Sequence, residues 1–470
     1  MDAKDLNLNN SITPDDELEK PEGPPIQSQI NARAKIIEIL NRVEMRQAFT
    51  DKLLEKELNE FEEADRSLIT EVVYGVLRWR YRLDWFLRQL YVGEFEDLIP
   101  DVKNNLRSSL YQLMFLEKIP PYAVLNEAVE IAKQKFNQKT ANLVNAILRN
   151  YLRQQKKLEY MEMQLDVLER MAVQYSHPKW LLQRWIEYWG VDEVTHLIEK
   201  NNERPKLFIR VNHLKTDREQ VKQVLEQAGL EYEEHPDFPN FLWIKDFSAF
   251  RKLDLLRQGW VSVQDVSTGL PVMILDPQPG ETVLDACAAP GGKAGFIGER
   301  MQNQGLLVAI DRHFNRVKML RDNLLRWGIT TARYIQADAT QLPMTLLFDK
   351  ILLDVPCTGF GVLNKRVDLK WKRSAEDIEN MQRLQLQMLD AAARVCKPGG
   401  AIVYSTCTIE PEENEVVVEK FLETHPEFQL ENLMGELPVD YLWNQHYVRT
   451  FPHKHDMDGS FAARLRKRPV

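Results

Sequence analysis

The chain is poor in cysteine, with four in 470 residues, and none of the four stands in a CxxC pair. Paired cysteines would be the ordinary sign of a zinc site or a disulfide framework, so the sequence favours neither, and we predict no metal site. Few and unpaired thiols suit a reducing compartment, and we expect the protein in the cytoplasm. The four are Cys287, Cys357, Cys396 and Cys407.

Long apolar stretches are missing as well. No run of about 18 apolar residues, the length that a membrane-crossing helix needs, occurs in the chain. The N-terminal segment lacks the apolar core of a secretory signal and is instead acidic, with seven Asp and Glu against two Lys in residues 1–25. We expect residues 1–28 to form a disordered acidic tail, and we expect no membrane partner.

The chain has no overall excess of positive charge, since its formal net charge is -9. This balance argues mildly against a polyanionic partner. Charge is local, however, and basic residues concentrate in four clusters, any one of which would ordinarily be a solvated face. The clusters are Arg78, Arg80 and Arg82; Arg149, Arg153, Lys156 and Lys157; Lys365, Arg366, Lys370, Lys372 and Arg373; and Arg464, Arg466, Lys467 and Arg468.

The spacing of apolar residues divides the chain into three folded parts. Residues 29–158 have apolar positions three and four apart, as in ARAKIIEILNRV, which predicts an all-helical domain. Residues 159–264 start with helical patterns and then mix the strands LFIRVN, FLWIKD and GWVSVQD with a helix, which predicts a helical linker and a small α+β module. Residues 265–470 make up the third part.

In the third part, short apolar strands alternate with helices. The strands ETVLDAC, GLLVAID, ARYIQAD, DKILLDV and GGAIVYSTC each end in Asp or Cys or close to one. This alternation predicts a doubly wound, Rossmann-like α/β sheet, whose ligands bind beyond the carboxyl ends of the strands. Five side chains should therefore lie along one edge of the sheet: Asp285, Asp311, Asp338, Asp354 and Cys407.

The loop after the first of these strands, DACAAPGGK, has the small residues that let a backbone approach a ligand. It does not read GxGxxG, so a dinucleotide is a poor candidate. Asp311 suits the two hydroxyls of a ribose, and Asp338 can meet an adenine amino group. A single Asp could simply cap a helix, whereas three at successive strand ends favour a binding site. A nucleoside with a cationic centre and no phosphate fits this acidic pocket, and S-adenosylmethionine is such a molecule.

Two cysteines follow the fourth and fifth strands, Cys357 in DVPCTGFG and Cys407 in YSTCTIEPEEN. Cytosine C5 is a weak nucleophile, and a thiolate that adds to C6 makes C5 able to accept a methyl group. The reaction also needs a carboxyl group to hold the base and a general base to remove the C5 proton. The ordinary alternative for a cysteine is a small buried hydrophobe, which we favour for Cys396 in the helical pattern ARVCKPGG, while Cys287 is expected to pack beside the cofactor.

The motifs of the third part together resemble the RNA m5C methyltransferase family, in particular its bacterial Sun/Fmu (RsmB-type) branch. They are DACAAPGGKA, VAIDRHFNRV, QADAT, FDKILLDVPCTGFGVLNKRVDLKW and YSTCTIEPEENE. The resemblance implies methylation of cytosine C5 in 16S rRNA with S-adenosylmethionine as the methyl donor. DNA cytosine methyltransferases use the cysteine of a Pro-Cys motif as the nucleophile, so the second cysteine, in TCT, points to RNA and away from DNA.

The resemblance also implies a role for each site residue. Cys407 would be the nucleophile, and Cys357 would assist release of the methylated RNA. Asp354 would contact the target cytosine, and Lys293 would sit between cofactor and base. The cofactor-binding set is predicted to be Cys287, Ala288, Ala289, Pro290, Gly291, Gly292, Lys293, Asp311, Arg316, Asp338 and Asp354.

The helical part resembles the RNA-binding factor NusB in ADRSLITEVVYGVLR and PYAVLNEAVEIAKQKF. SHPKWLLQRW and NNERPKLFIRVNHLKT resemble the linker and the small RNA-binding module that precede the catalytic domain in the Sun/Fmu type. We predict a monomer whose partner is 16S rRNA that is not yet assembled into the subunit. The RNA is predicted to cross Arg149, Arg153, Lys156 and Lys157 and then Lys365 and Arg366 on its way to the catalytic cleft.

Two other classes of protein compete with this hypothesis. The first is a non-catalytic RNA-binding or assembly factor that keeps a cofactor pocket, but a binding protein needs neither Cys357 nor Cys407. The second is an NAD-dependent oxidoreductase, which the missing GxGxxG and the two cysteines at strand ends disfavour. A Cys407→Ala protein that is inactive as a methyltransferase but still performs every cellular role would favour the first class. Binding of NADH but not of S-adenosylhomocysteine would favour the second.

Overall fold

The computed structural model describes residues 31–45 and 50–469, so the tail expected at residues 1–28 lies outside the described residues. The N-terminal part is helical, as the apolar spacing predicts. Its helices pack around one apolar core, and Arg107 is buried among them with both oxygens of Asp84, at 2.6 and 2.8 Å. The helices are α1 Ala32–Met45, α2 Thr50–Glu57, α3 Glu63–Leu90, α4 Pro100–Phe115, α5 Pro121–Lys135 and α6 Gln138–Met163.

Three shorter helices form the linker: α7 Val167–Gln174, α8 Lys179–Trp189 and α9 Val191–Asn202. Gly190 ends α8 with a left-handed φ of 79°, a conformation that glycine adopts without strain. The Trp185 side chain of α8 is fully buried in a cluster that includes Phe360 and Ile409 of the C-terminal part. The linker is therefore packed into the C-terminal part as an additional layer.

The small module is a four-stranded antiparallel sheet with the strand order β2-β3-β1-β4. Its helices cover one apolar cluster that includes Val221 and Leu225. The sequence predicted three of these strands and α10, whereas the short edge strand β2 was missed because YEE has no apolar alternation. The elements are β1 Phe208–Val211, α10 Arg218–Gln227, β2 Tyr232–Glu234, β3 Phe241–Ile244, α11 Phe247–Phe250, α12 Leu255–Gln258 and β4 Val261–Val263.

The C-terminal part holds a mixed sheet whose five parallel strands have the order β7-β6-β5-β8-β9. Helices cover both faces of these strands, which gives the doubly wound arrangement that the sequence predicts. The elements of this section are α13 Val266–Leu275, β5 Thr282–Asp285, α14 Gly292–Arg300, β6 Leu306–Asp311, α15 Phe314–Arg326, β7 Ala332–Gln336, β8 Phe348–Asp354, α16 Leu369–Lys372, α17 Ala375–Val395 and β9 Cys396–Thr406.

The sheet continues past β9 with antiparallel strands that the sequence did not predict. The long strand β13 pairs with β9 and is followed by β12 and β11 toward the sheet edge, while β10 also pairs with β13. The elements are α18 Glu415–Thr424, β10 Phe428–Leu430, β11 Leu442–Trp443, β12 Tyr447–Thr450, α19 Pro452–His455 and β13 Ser460–Lys467. The extension covers the flank of β9, so the strand that precedes Cys407 is an interior strand of the sheet.

The boundary between α17 and β9 lies one residue earlier than the sequence pattern indicates. Cys396, predicted within a helix, is the first residue of β9, because α17 ends at Val395; its side chain is buried as expected. Within residues 31–45 and 50–469, the structure has no helix with both the length and the apolar character needed to cross a membrane.

Candidate active site

The predicted site residues converge where the strand order of the parallel section reverses. From β5 the chain winds outward through β6 and β7 and then returns to β8 on the other side of β5. Ligands of such sheets bind beyond the carboxyl ends of the two strands that flank the reversal. Asp285 ends β5 and Asp354 ends β8, so both carboxyl groups lie at this point.

The two cysteines lie side by side just beyond β8 and β9. These strands pair in parallel with Asp354 opposite Ser405, so Cys357 and Cys407 leave the sheet close together. Their Sγ atoms are 3.2 Å apart, and the Cys407 backbone N–H donates to the Cys357 Sγ at 3.4 Å. The neighbouring Cys407 thiol and burial raise the pKa of Cys357 well above its usual value, so Cys357 holds its proton at neutral pH.

A lysine and a carboxylate lie next to the two thiols. Lys293 donates from Nζ to Asp354 Oδ2 at 2.8 Å, and the Ser405 hydroxyl donates to Asp354 Oδ1 at 2.9 Å. Burial opposes the charge of Lys293, but Asp354 and, to a smaller extent, Cys407 raise its pKa above the usual value. A fixed positive charge of this kind favours an anionic sulfur nearby.

Asp285 is the most deeply buried carboxyl group at the reversal point, with 1% of its surface exposed. Its Oδ2 has no hydrogen-bond partner among the described residues, and burial, together with the neighbouring Asp354, raises its pKa to about 7. Burial and Asp285 in turn raise the pKa of Cys287 well above the usual value. A thiol that keeps its proton is less reactive than a thiolate, so the raised pKa does not favour Cys287 as the nucleophile.

The loop between β5 and α14 follows the sheet edge closely. The Ala288 N–H donates to the Ile310 carbonyl of β6 at 2.8 Å, and Asn323 of α15 donates to the Pro290 carbonyl at 2.8 Å. Gly291 has a left-handed φ of 115°, and Lys293 lies in the first turn of α14. The loop is thus fixed by hydrogen bonds to β6 and to α15. Its small residues border the crevice beyond the carboxyl ends of β5 and β8.

Asp311 and Asp338, the two other acidic residues predicted at strand ends, have different surroundings. Asp311 ends β6, accepts from the His313 N–H at 2.9 Å and pairs with Arg316 at 3.0 Å, and Arg316 also donates to the Ala289 carbonyl at 2.5 Å. Arg316 therefore ties Asp311 to the loop. Asp338 lies two residues beyond β7 and accepts from the N–H and hydroxyl of Thr340, and these bonds lower its pKa. No described contact joins Asp338 to the other site residues.

Sequence reasoning missed a buried polar group behind the two cysteines. Glu413 lies in the 3-10 turn Pro411–Glu413 with no exposed surface, and it accepts from the N–H and hydroxyl of Thr358 and from Gln385. The acidic run EPEEN suggests an exposed turn, so nothing in it indicates burial. The one sequence feature that could have indicated a shared contact is the threonine that directly follows each cysteine, at Cys357 and at Cys407.

The RNA path over Lys365 stays a prediction, but Lys365 is an ion-paired residue and not a free cation. Its Nζ lies between two buried carboxyl groups, Asp265 at 2.6 Å and Asp458 at 2.8 Å, which raise its pKa against the opposing effect of burial. Arg366 lies 3.5 Å from Asp51 of the helical part. These charges hold parts of the protein together and do not form a free basic surface.

Two more basic residues are internal, Lys370 of the same cluster and Arg464 of the C-terminal cluster. Lys370 is buried, and its Nζ donates to the Arg78 carbonyl at 2.9 Å. Arg464 donates to Glu431 at 2.5 Å and to Glu436 at 2.7 Å. The cluster on α6 differs, because its four cationic side chains are exposed: Arg149, Arg153, Lys156 and Lys157.

The sheet, the loop after β5 and the acidic strand ends place the C-terminal part among Rossmann-like, S-adenosylmethionine-dependent methyltransferases. Comparison with known families agrees with this class. Residues 272–466 match the model of the 16S rRNA methyltransferase RsmB/F family, residues 30–153 match the NusB family, and residues 177–250 match the ferredoxin-like domain of RsmF/B-like methyltransferases.

Similar proteins cover nearly the whole chain. The probable ribosomal RNA small subunit methyltransferase B of Bacillus subtilis is 34% identical over 92% of this chain and 98% of its own length. The ribosomal RNA small subunit methyltransferase B of Vibrio cholerae is 37% identical over 86% of this chain and 90% of its own. A methyltransferase homolog from Pyrococcus horikoshii has a solved structure with a TM-score of 0.57 and 31% identity, covering 64% of this chain and all of that one.

The chain belongs to the RsmB/F family of methyltransferases. The family resemblance and the three-part fold predicted from the sequence are thereby confirmed.

The turn after Cys357 makes a backbone contact that leaves no room for a side chain at Gly361. Its N–H donates to the Cys407 carbonyl at 3.1 Å, and an added Cβ would come within 2.0 Å of the Gly459 carbonyl oxygen. We expect Gly361→Ala to separate the two cysteine turns and to lower methyl transfer by about 10- to 100-fold, as small displacements of reacting groups do. The measurement is the single-turnover rate.

Gly399→Ala is the matched control. Gly399 has a left-handed φ of 78°, and an added Cβ there meets nothing within 4 Å. This variant should lose about 1 kcal/mol of stability through backbone strain and retain its transfer rate. Equal rates for Gly361→Ala and the native protein would show that the contact does not set the position of the thiols.

Proposed function

We propose that this protein transfers a methyl group from S-adenosylmethionine to C5 of a cytosine in 16S rRNA through a covalent bond between Cys407 and C6 of the base. The observation that carries the proposal is the pair of sulfur atoms 3.2 Å apart beside the Lys293–Asp354 ion pair. A non-catalytic RNA-binding factor needs neither thiol, and the loop after β5 lacks the GxGxxG pattern of a dinucleotide-binding oxidoreductase. The rRNA substrate rests on the family and on the names of the similar proteins.

In the proposed reaction, the Cys407 thiolate forms an S–C6 bond, and the electron pair that this adds to the ring forms a bond from C5 to the methyl carbon. The S–CH3 bond of the donor would break at the same time, its electron pair would stay on sulfur, and S-adenosylhomocysteine would be the leaving group. A base then removes the C5 proton, and the S–C6 bond breaks to restore the aromatic ring. Asp354, held by Lys293 and Ser405, is the carboxyl group that we propose binds the N3 and N4 edge of cytosine. Lys293 adds a positive charge beside the reacting sulfur.

Cys357 has a different part in the proposal. Its raised pKa keeps it a neutral thiol in the resting protein, which suits a group that assists the elimination step and not the initial attack. Its backbone carbonyl lies 3.5 Å from a guanidinium nitrogen of Arg373, which adds a second contact to its turn. Following the family resemblance, we assign the nucleophile to Cys407 and the release step to Cys357.

The crevice also fits S-adenosylmethionine, which supplies an electrophilic methyl group on a sulfonium. The unpartnered Oδ2 of Asp285 and the carboxylate of Asp354 are anionic or polar groups that suit a cationic ligand. Asp311, oriented by Arg316, retains acceptor capacity for ribose hydroxyls. We propose that these residues and the loop from Cys287 to Lys293 hold the cofactor, with Asp338 at the adenine end.

Asp311→Asn tests this cofactor site. The change removes a charged acceptor but keeps the side-chain size, so S-adenosylhomocysteine should bind about 10- to 100-fold more weakly by calorimetry. Asp322→Asn, on the exposed side of α15, is the matched control and should bind like the native protein. Unchanged affinity of Asp311→Asn would remove this residue from the proposed site.

Cysteine variants test the covalent mechanism. With tritiated S-adenosylmethionine and deproteinised 16S rRNA, native protein should label cytosine C5, and Cys407→Ala should be inactive because no thiolate can add to C6. Cys357→Ala should accumulate a covalent RNA–protein adduct, visible on a denaturing gel. Cys396→Ala, which alters a buried thiol at the start of β9, is the control and should remain active.

The opposite pattern, an inactive Cys357 variant and an adduct with the Cys407 variant, would reverse the two roles. Absence of label from every RNA with native protein would favour the RNA-binding factor.

We propose that the exposed basic face of α6 binds the RNA backbone. Arg149 and Arg153 bond to the neutral side chains of Asn145 and Asn150, at 2.9 and 2.8 Å, and no described ion pair joins either arginine to a carboxylate. Both arginines border a groove of about 550 Å³ between α6 and the end of α3, with Tyr91 in its wall. Cations and an aromatic ring along a groove suit single-stranded RNA.

Replacing Arg149 and Arg153 together with Ala should weaken RNA binding. If both contact phosphates of a single strand, the slope of log affinity against log salt should fall by about 1.4 in filter-binding titrations. Arg394→Ala with Lys420→Ala, on exposed positions of α17 and α18, removes the same charge and should leave the slope unchanged. An unchanged slope for the α6 variant would refute the placement.

We further propose that the substrate is rRNA before subunit assembly, that the enzyme acts in the cytoplasm and that it works as a monomer. Gel filtration of the protein with and without deproteinised 16S rRNA addresses the last of these.

A further inference from the structure

The carboxyl group of Glu413 connects the two cysteine turns from behind. Its Oε2 accepts from the Thr358 N–H at 3.0 Å and from Gln385 Nε2 at 2.9 Å, and its Oε1 accepts from the Thr358 hydroxyl. The Thr358 hydroxyl also lies 2.9 Å from that of Thr408. Because Thr358 and Thr408 directly follow Cys357 and Cys407, one buried side chain reaches both turns.

The backbone around Glu413 is fixed as well. The Tyr404 hydroxyl donates to the Glu413 carbonyl at 2.6 Å. The next residue, Asn414, donates to the Thr408 carbonyl at 3.1 Å and accepts from the Thr406 hydroxyl at 2.6 Å. The carboxyl group therefore sits on a support that is itself bonded to both sides of Cys407.

The charge of Glu413 has no local counterion. Within the described residues, its side-chain partners are neutral, and no lysine, arginine or histidine pairs with it. Burial raises its pKa to about 7, and Glu410 in the same segment adds to the effect. The titratable groups that act across the turn are Cys357, whose pKa Glu413 helps to raise, and Tyr404 of β9. A buried carboxyl group without a cation is costly for a fold, so stability alone does not explain its presence.

We propose that Glu413 is a positioning residue of the methyl-transfer site, which acts through Thr358 and Thr408 to set the separation and orientation of the Cys357 and Cys407 thiols. The inference rests on the proposed function for its catalytic meaning, but the positioning itself concerns the free protein. Glu413 does not reach the substrate in this scheme. We expect it to affect kcat, because the proposed release step needs the sulfur atoms of both Cys357 and Cys407 in position.

Glu413→Gln tests the proposal, with Glu412→Gln as the matched control. The amide keeps the shape of Glu413 but has one acceptor oxygen in place of two, so either a bond to Thr358 or Gln385 is lost or the Thr358 hydroxyl must turn from donor to acceptor. In the second case the hydrogen bond between Thr358 and Thr408 is reset as well. Glu412 is adjacent and bonds to Tyr188 of the linker at 2.7 Å, away from both cysteine turns. Glu413→Gln should lower kcat about 10- to 100-fold with KM for RNA and cofactor within about twofold, whereas Glu412→Gln should leave kcat unchanged.

A second readout uses the free protein and no methyl transfer. Alkylation of Cys357 and Cys407 by iodoacetamide, followed by peptide mass spectrometry across pH, reports the state of each thiol. Removing the negative charge of Glu413 should shift the Cys357 profile to lower pH, because the thiolate is no longer repelled, and should change the ratio of the two alkylation rates. Glu412→Gln should give the native profile.

Threonine variants keep the proposal testable if Glu413→Gln does not fold. Thr358→Val removes the hydroxyl link and should reproduce the kinetic defect, while Thr358→Ser restores the hydroxyl and should restore kcat. Thr358→Val combined with Glu413→Gln should be no worse than the poorer single variant, since both break one connection.

The proposal is overturned if both Glu413→Gln and Thr358→Val keep native kcat and alkylation profiles, or if their effects simply add. The alkylation profiles are measured without methyl transfer, so they test the positioning of the thiols separately from the proposed function. A Cys407→Ala protein that still methylates RNA refutes the covalent mechanism, whereas altered thiol profiles in the Glu413 variant would still support positioning.

Discussion

The parallel pairing of β8 with β9 is the constraint on which the site depends. Its register sets Asp354 opposite Ser405, and the two side chains are hydrogen-bonded. Cys357 and Cys407 follow these residues by three and two positions, so a shift of the register by one residue would separate the sulfurs and turn side chains to the other face of the sheet. The antiparallel strand β13 on the far side of β9 keeps that strand inside the sheet, where its register is fixed by two neighbours.

The charged side chains of the site lie around the paired ends of β8 and β9. Lys293 arrives from the start of α14, on the other side of β8, and neutralises the carboxylate that ends β8. In the part of the chain that the structure describes, no ion pair joins a cation to Asp285 or to Glu413, which lies behind the thiols. The crevice therefore combines one compensated carboxylate with two buried carboxyl groups whose pKa is raised to about 7. Such uncompensated groups are typical of sites built for a ligand or a reaction and not for stability alone.

Much of this could be predicted from the sequence, for a physical reason. Parallel strands buried on both faces give continuous apolar runs, and their carboxyl ends meet at one edge, so the positions of Asp285, Asp354 and Cys407 followed from local pattern alone. Glu413 could not be predicted, because its burial depends on which loops the sheet register brings together. The ion pairs of Lys365 could not be predicted for a related reason: its partners, Asp265 and Asp458, lie about 100 positions away on either side in the sequence. Charge clusters in a sequence do not reveal the distant carboxylates that neutralise them.

The contact between α8 and the segment after Cys407 has a consequence for the architecture. Glu410 has no exposed surface and is held by Arg184 at 2.6 Å and by the Trp185 ring nitrogen at 2.7 Å. Moving the linker away would break both of these bonds to Glu410 and bring the indole into water. The linker and the sheet must therefore move as one rigid body. A fragment cut at the start of the sheet would lose part of its own interior, so the smallest piece able to fold with an intact thiol pair has to begin upstream of α8.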